Sequence, residues 1–162
     1  MTETLGIVGL GRMGNALLRG LLASGYDPRR IHVSEVDPGA LAAAADLGVW
    51  AHQRNAELAK AVETVVLAVK PKDVLPVLSD LADLRERALV ISIAAGISIS
   101  TLAGELPLHV RVVRAMPNTP CLVQAGATVI HPGAGVSNEE LARATSLFAP
   151  LGTVDVLYDE KL

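Results

Sequence analysis

The sequence predicts a doubly wound α/β fold, a mainly parallel sheet with helices on both faces. Three observations predict it. Short runs rich in Val, Ile and Leu alternate with segments of helical periodicity, and such alternation means parallel strands joined by right-handed crossovers. Of the 162 residues, 51% are hydrophobic but only 2% aromatic, which suits strands buried on both faces beneath Ala-rich helices. A glycine-rich turn also stands between the first strand and the first helix.

Leu5–Val8 reads as the first strand, ending at Gly9. Arg12–Ser24 reads as a helix because Met13, Ala16, Leu17, Gly20 and Leu21 recur at helical spacing, with Gly25 as a stop. Ile31–Ser34 is a short second strand. Pro38 opens the next helix, where its missing N–H costs little, and that helix is expected to run to Gly48. Val49–Ala51 reads as a minimal strand and Asn55–Ala61 as a short helix. Thr64–Val69 is a buried strand stopped by Pro71, and Val74–Leu81 is helical in pattern. Leu89–Ile93 is a further strand, Ser98–Ala103 a helix and Val110–Arg114 another strand, with Ala115–Ala125 irregular. Thr128–His131 is a strand. Ser137 with Glu140 makes a capping box for a helix ending near Gly152, and Val154–Leu157 is the last strand.

Composition excludes several classes. Net charge is −3, no basic run occurs, and Tyr26, Trp50, Phe148 and Tyr158 are too scattered for a base-stacking platform, so no nucleic-acid partner is expected. Apolar runs such as Val65–Val69 and Leu89–Ile99 are too short or too polar to span a bilayer, and no membrane partner is expected. Glu3 stands where a secretory leader would carry basic charge, so no leader is expected. A lone Cys121 fits a reducing compartment, and a cytoplasmic location is expected. His32, His52, His109 and His131 lack metal-ligand spacing, so no metal is expected.

Gly9-Leu10-Gly11-Arg12-Met13-Gly14 matches G-x-G-x-x-G in the strand-to-helix context that this pattern needs. Gly9 permits a sharp turn, Gly11 a close approach of backbone to a pyrophosphate, and Gly14 close packing of helix on strand. The helix N-terminus then offers N–H groups and a positive dipole end. A Rossmann-type dinucleotide site follows. No G-x-x-x-x-G-K-[ST] occurs, which argues against a nucleotide triphosphatase. Glu35, 21 residues after Gly14, fits the acid that meets the adenosine ribose. Its carboxylate accepts from ribose hydroxyls and repels a 2′-phosphate, while Ser34 beside it could help bind a phosphate.

Two segments go beyond a generic dinucleotide fold: Ala68-Val69-Lys70-Pro71 and Arg114-Ala115-Met116-Pro117-Asn118-Thr119-Pro120. With the glycine loop, Ile93-Ala94-Ala95-Gly96 and Gly126-Ala127-Thr128, they closely resemble pyrroline-5-carboxylate reductase. The resemblance covers essentially the whole chain, and Met116–Pro120 is its most specific part. It implies NAD(P)H-dependent reduction of 1-pyrroline-5-carboxylate to L-proline, the last step of proline biosynthesis.

The resemblance also implies roles residue by residue. Val8, Gly9, Leu10, Gly11, Arg12 and Met13 would cradle the pyrophosphate, with Gly14 behind them, and Ser34 and Glu35 would lie near the adenosine ribose. Asn55 would contact the adenosine side. Ala68, Val69, Lys70 and Pro71 would line the nicotinamide-ribose side, and Ala94 and Ala95 would approach the nicotinamide. Asn118 and Thr119 would be near the substrate; read from the residues alone, they form a turn between prolines. No catalytic residue or proton donor can be named. Many family members carry Ser, Thr or Arg at the position of Glu35, so Glu35 tilts the cofactor from NADPH towards NADH. The family continues into a helical domain that dimerises and binds the substrate carboxylate. Residues 1–157 are then expected to form the NAD(P)-binding domain, and 158–162 the start of a linker to that helical domain. A homo-oligomer is expected of the full-length protein. Two rivals remain open: a related oxidoreductase of the deazaflavin-dependent NADP reductase kind, and a non-catalytic dinucleotide-binding module.

Overall fold

A computed structural model describes residues 3–158. Its elements are β1 (Leu5–Val8), α1 (Arg12–Ala23), β2 (Ile31–Ser34), α2 (Pro38–Ala45), β3 (Trp50–His52), α3 (Asn55–Ala61), β4 (Thr64–Leu67), α4 (Pro71–Ser79), β5 (Leu89–Ser92), α5 (Ile99–Glu105), β6 (Arg111–Pro117), β7 (Gly126–Pro132), α6 (Asn138–Phe148) and β8 (Gly152–Val156). The strands form one sheet in the order β3-β2-β1-β4-β5-β6-β7-β8. The expected doubly wound fold is borne out.

Strand pleat divides the core into two layers, because alternate residues face opposite sides. Ile7, Val33, Val66, Ile91 and Val113 pack with Leu17, Leu18 and Leu21 of α1 and Leu147 and Phe148 of α6. Their neighbours Val8, Val65, Leu67, Val90 and Val112 pack with Leu58 of α3, Val74 and Leu78 of α4 and Leu102 of α5. Each fully buried Leu, Ile or Val side chain contributes roughly 1.5–3 kcal/mol relative to exposure. Both layers are needed, since neither face of the sheet can be left wet.

Alternation of strand and helix does not hold throughout. Only a single 3-10 turn, Thr119–Val123, separates β6 from β7. That is too short for a crossover, so β7 runs antiparallel to β6, with Val113 opposite Pro132 and Pro117 opposite Thr128. Ala115–Pro117, expected to be irregular, therefore extends β6, and β7 starts at Gly126 rather than Thr128. All other neighbouring strands are parallel.

Pro71 does not stop a strand reaching Val69. The strand ends at Leu67, and Pro71 opens α4 three residues before the expected start, where a missing N–H leaves nothing unpaired. The helix α2 ends at Ala45, short of Gly48, and β3 and β8 each shift by one or two residues from their expected bounds. Of the expected linker over 158–162, only Tyr158 is described, and 159–162 lie outside the described residues. Among the described residues, no helix is long and apolar enough to cross a membrane.

Candidate functional site

The strand order reverses between β1 and β4: β1 continues to β2 and β3 on one side, β4 to β5 and β6 on the other. Such a switch point opens a crevice at the carboxyl ends of the strands, where ligands of open α/β sheets bind. Ladder hydrogen bonds continue one residue past the strands and bring their ends level. Gly9 N–H donates to Ser34 O at 2.9 Å, Ala68 N–H to Val8 O at 2.8 Å and Ile93 N–H to Leu67 O at 3.1 Å.

The glycine loop sits in this crevice, and its three glycines meet different demands. Gly9 adopts a φ of +93°, and a Cβ there would stand 2.8 Å from the carbonyl oxygen of Ala68. At Gly14 a Cβ would overlap the carbonyl oxygen of Gly9 and lie 3.1 Å from the Ala68 methyl. The loop, α1 and Ala68 are thus packed backbone to backbone. Gly11 differs: nothing lies within 4 Å of where its Cβ would be. Its missing side chain leaves open space beside the start of α1. That helix begins with no side-chain cap and no acidic residue in its first turn, so its positive end remains available to an anion. An open approach at Gly11 beside uncapped N–H groups fits a pyrophosphate.

Glu35 follows β2 and is half-buried. One carboxylate oxygen accepts from Leu10 N–H at 2.6 Å, and the other from Val36 N–H at 2.7 Å and Asp37 N–H at 3.1 Å. The acid is therefore tied to the glycine loop as well as to its own turn. Asp37 caps α2, its carboxylate accepting from Gly39 N–H and Ala40 N–H.

Ser34 lies on the opposite face of β2, fully buried, and its hydroxyl donates to Asn55 Oδ1 at 2.7 Å. Asn55 Nδ2 donates in turn to Asp80 Oδ2 at 3.0 Å. Ser34 thus presents its carbonyl, not its hydroxyl, to the loop, and Asn55 joins β2 to the end of α4. Asp80 had no signal in the sequence.

Ala68 and Val69 are partly covered, Lys70 and Pro71 are exposed at the mouth, Ala94 is buried and Ala95 exposed. These residues follow the adjacent strands β4 and β5, so they share one side of the crevice with the glycine loop. Asn118 follows β6 and is bound twice to Ala127. Its N–H donates to Ala127 O at 3.2 Å, and its Oδ1 accepts from Ala127 N–H at 2.9 Å. Its side chain therefore holds the turn between β6 and β7, while Thr119 beside it is exposed. Cys121 is buried next to Asn118 and Thr128, as a small core residue.

The histidines do not gather at the crevice. His109 Nε2 lies 3.1 Å from Leu84 O, and His131 Nδ1 lies 2.9 Å from Leu157 O. His32 and His52 pair across β2 and β3 with ring nitrogens 2.8 Å apart, and Trp50 stacks on His32. Burial, aided by the neighbouring His52, pushes His32 down to about 4. Burial also lowers His52, against the opposing pull of Glu57. Among the described residues, no cluster of three or more His, Cys, Asp or Glu could hold a metal ion.

Comparison with known proteins agrees with this geometry. Residues 4–96 match the family model described as NADP oxidoreductase coenzyme F420-dependent. A pyrroline-5-carboxylate reductase of Escherichia coli is 39% identical over 160 residues, covering 97% of this chain and 60% of the relative. The structure of a pyrroline-5-carboxylate reductase from Coxiella burnetii superposes with a TM-score of 0.92 at 35% identity, covering 99% of this chain and 60% of that one. A Plasmodium falciparum pyrroline carboxylate reductase with NADP bound gives a TM-score of 0.85 at 26% identity, covering 99% and 59%. The resemblance read from Met116–Pro120 and the glycine loop is thus borne out, over a chain that spans about 60% of its relatives' length. The matched span holds β1 to β5, the glycine loop and Ala68–Pro71, and by that match the chain belongs to the family described as NADP oxidoreductase coenzyme F420-dependent.

Proposed function

We propose that this chain is the dinucleotide-binding part of a pyrroline-5-carboxylate reductase, which reduces 1-pyrroline-5-carboxylate to L-proline. The observation that carries the reading is the open approach at Gly11, beside the uncapped start of α1 at the sheet's switch point. In this reading the Val8–Gly14 loop holds the pyrophosphate at Gly11 and the uncapped start of α1, and Glu35 meets the adenosine ribose. Asn55 supports the adenosine side by fixing Ser34 against α4. Ala68–Pro71 and Ala94–Ala95 flank the nicotinamide, where small side chains let a flat ring approach backbone.

When bound, reduced nicotinamide supplies a hydride to the carbon of the cyclic imine. The chain's own residues contribute positioning. Asn118 keeps the turn between β6 and β7 in place, and exposed Thr119 is left to face the substrate. NADH is favoured over NADPH, because Glu35 stands where a 2′-phosphate would come. The domain is residues 1–157, with 158–162 leading to a helical domain that completes the substrate site and makes the protein a homo-oligomer. The site of action is the cytoplasm.

The family description supports a second reading, in which a deazaflavin is the redox partner. Assaying the protein that carries this domain separates the two. Proline formation from 1-pyrroline-5-carboxylate and NADH, without deazaflavin oxidation, is the expected result. Deazaflavin-dependent turnover with no proline formed would overturn the proposal.

A further inference from the structure

We propose that Asp80 is a positioning residue for the cofactor, orienting the Asn55 amide so that it offers a donor to the adenosine. This deepens the reading above and rests on its placement of Asn55 at the adenosine side. Asp80 acts through a relay that runs from the end of α4 to the glycine loop, and itself touches no ligand. Asn55 Nδ2 donates to Asp80 Oδ2 at 3.0 Å, and the Ser34 hydroxyl donates to Asn55 Oδ1 at 2.7 Å. The Ser34 carbonyl in turn accepts from Gly9 N–H at 2.9 Å.

The group at the far end fixes the sense of this relay. An ionised carboxylate only accepts hydrogen bonds, whereas a carboxamide has a donor side and an acceptor side. Facing Asp80, Asn55 must present Nδ2, and its Oδ1 must then turn to Ser34. Ser34 is buried, so its hydroxyl hydrogen needs that oxygen. Nδ2 carries two hydrogens. One goes to Asp80, and the other is left as a donor for an acceptor atom of the adenosine. A reversed amide would offer an oxygen there instead.

The place of Asp80 supports a role beyond stability. It caps the carboxyl end of α4, whose last turn holds no basic residue. The negative end of a helix dipole disfavours an anion. Asp80 is exposed, and the amide it bonds belongs to half-buried Asn55. An acid at this position is unfavourable for the helix and useful to Asn55.

Calorimetric titration of the chain with NADH, and with ADP-ribose, which lacks the nicotinamide, tests this. Asp80→Ala frees the Asn55 amide to take several orientations, and should weaken both ligands by about threefold or more. Asp80→Asn keeps an oxygen that can face Nδ2, and should bind both ligands more tightly than Asp80→Ala. A carboxylate acting only as a charge predicts tighter binding in both variants, because a like charge has been removed from the path of an anionic ligand. In an Asn55→Ala background, Asp80→Ala should have no further effect. The urea midpoint of Asp80→Ala should not fall, since α4 loses an unfavourable anion. An Asp80→Ala chain that binds as tightly as the wild type or tighter overturns the inference, as does one whose urea midpoint falls. So does an Asp80→Asn chain that binds no better than Asp80→Ala, or an undiminished effect in the Asn55→Ala background. Each of these results leaves the dinucleotide reading intact. A wild type that binds neither ligand overturns that reading, and this inference with it.

Discussion

Gly11 and Gly14 share a motif but do opposite physical work. At Gly14 an added methyl group meets the Gly9 carbonyl, a backbone atom that cannot swing aside. Gly14→Ala should therefore destabilise the fold by about 1–3 kcal/mol, read as a lower urea midpoint. At Gly11 the backbone has an ordinary φ of −64°, and a methyl group meets nothing. Gly11→Ala should leave the urea midpoint unchanged yet weaken NADH binding by about tenfold or more, because the methyl occupies the approach to the backbone. Equal affinity in Gly11→Ala and the wild type would contradict the proposed pyrophosphate position. The glycine spacing was legible in the sequence because each glycine's reason is local to the strand-turn-helix. The partners of Glu35 were not, since Leu10 lies 25 residues away and reaches it only once β1 and β2 pair. Ser34 and Glu35, adjacent in sequence, point to different faces, and only the pleat of β2 decides which.

At the scale of elements, the edge strand β3 is the weakest part of the sheet, only three residues long and exposed at Trp50 and Ala51. Its tie to β2 includes the His32–His52 pair, whose ring nitrogens lie 2.8 Å apart. Burial disfavours the charged form of both rings in the fold. The folded chain then binds fewer protons than the unfolded chain below the ordinary histidine value of 6.5. Stability from this pair is full above that value and falls as pH drops towards about 4. The rings are half-exposed, so solvent screening limits the effect to roughly 1 kcal/mol between about pH 7 and about pH 4.5. Urea unfolding at both pH values should show a smaller acid loss in His32→Leu than in the wild type; an equal loss would contradict the role of the pair. Element types were legible where β-branched runs such as Thr64–Leu67 stood between helical patterns. The antiparallel β7 was not, because the sequence of Ala115–Ala125 does not reveal that a single 3-10 turn replaces a helix. Pro71 misled for a related reason: a proline can stop a strand or open a helix, and only the fold decides that here it opens α4.

At the scale of the whole molecule, the order of the strands puts the pieces together. Gly9–Gly14, Glu35, Ala68–Pro71 and Ala94–Ala95 are separated by up to 86 residues in sequence, yet follow the neighbouring strands β2, β1, β4 and β5 at one edge of one sheet. Two apolar layers hold that edge rigid, which preorganises the crevice before any ligand arrives. The central claim is that this edge binds a nicotinamide dinucleotide along its length. Amide chemical-shift mapping of the chain during titration with NADH tests it most directly. The account predicts saturable shifts confined to Gly9–Gly14, Glu35–Asp37, Ala68–Lys70 and Ala94–Gly96. Saturable shifts centred elsewhere, or a folded chain whose spectrum does not move at millimolar NADH, would contradict it.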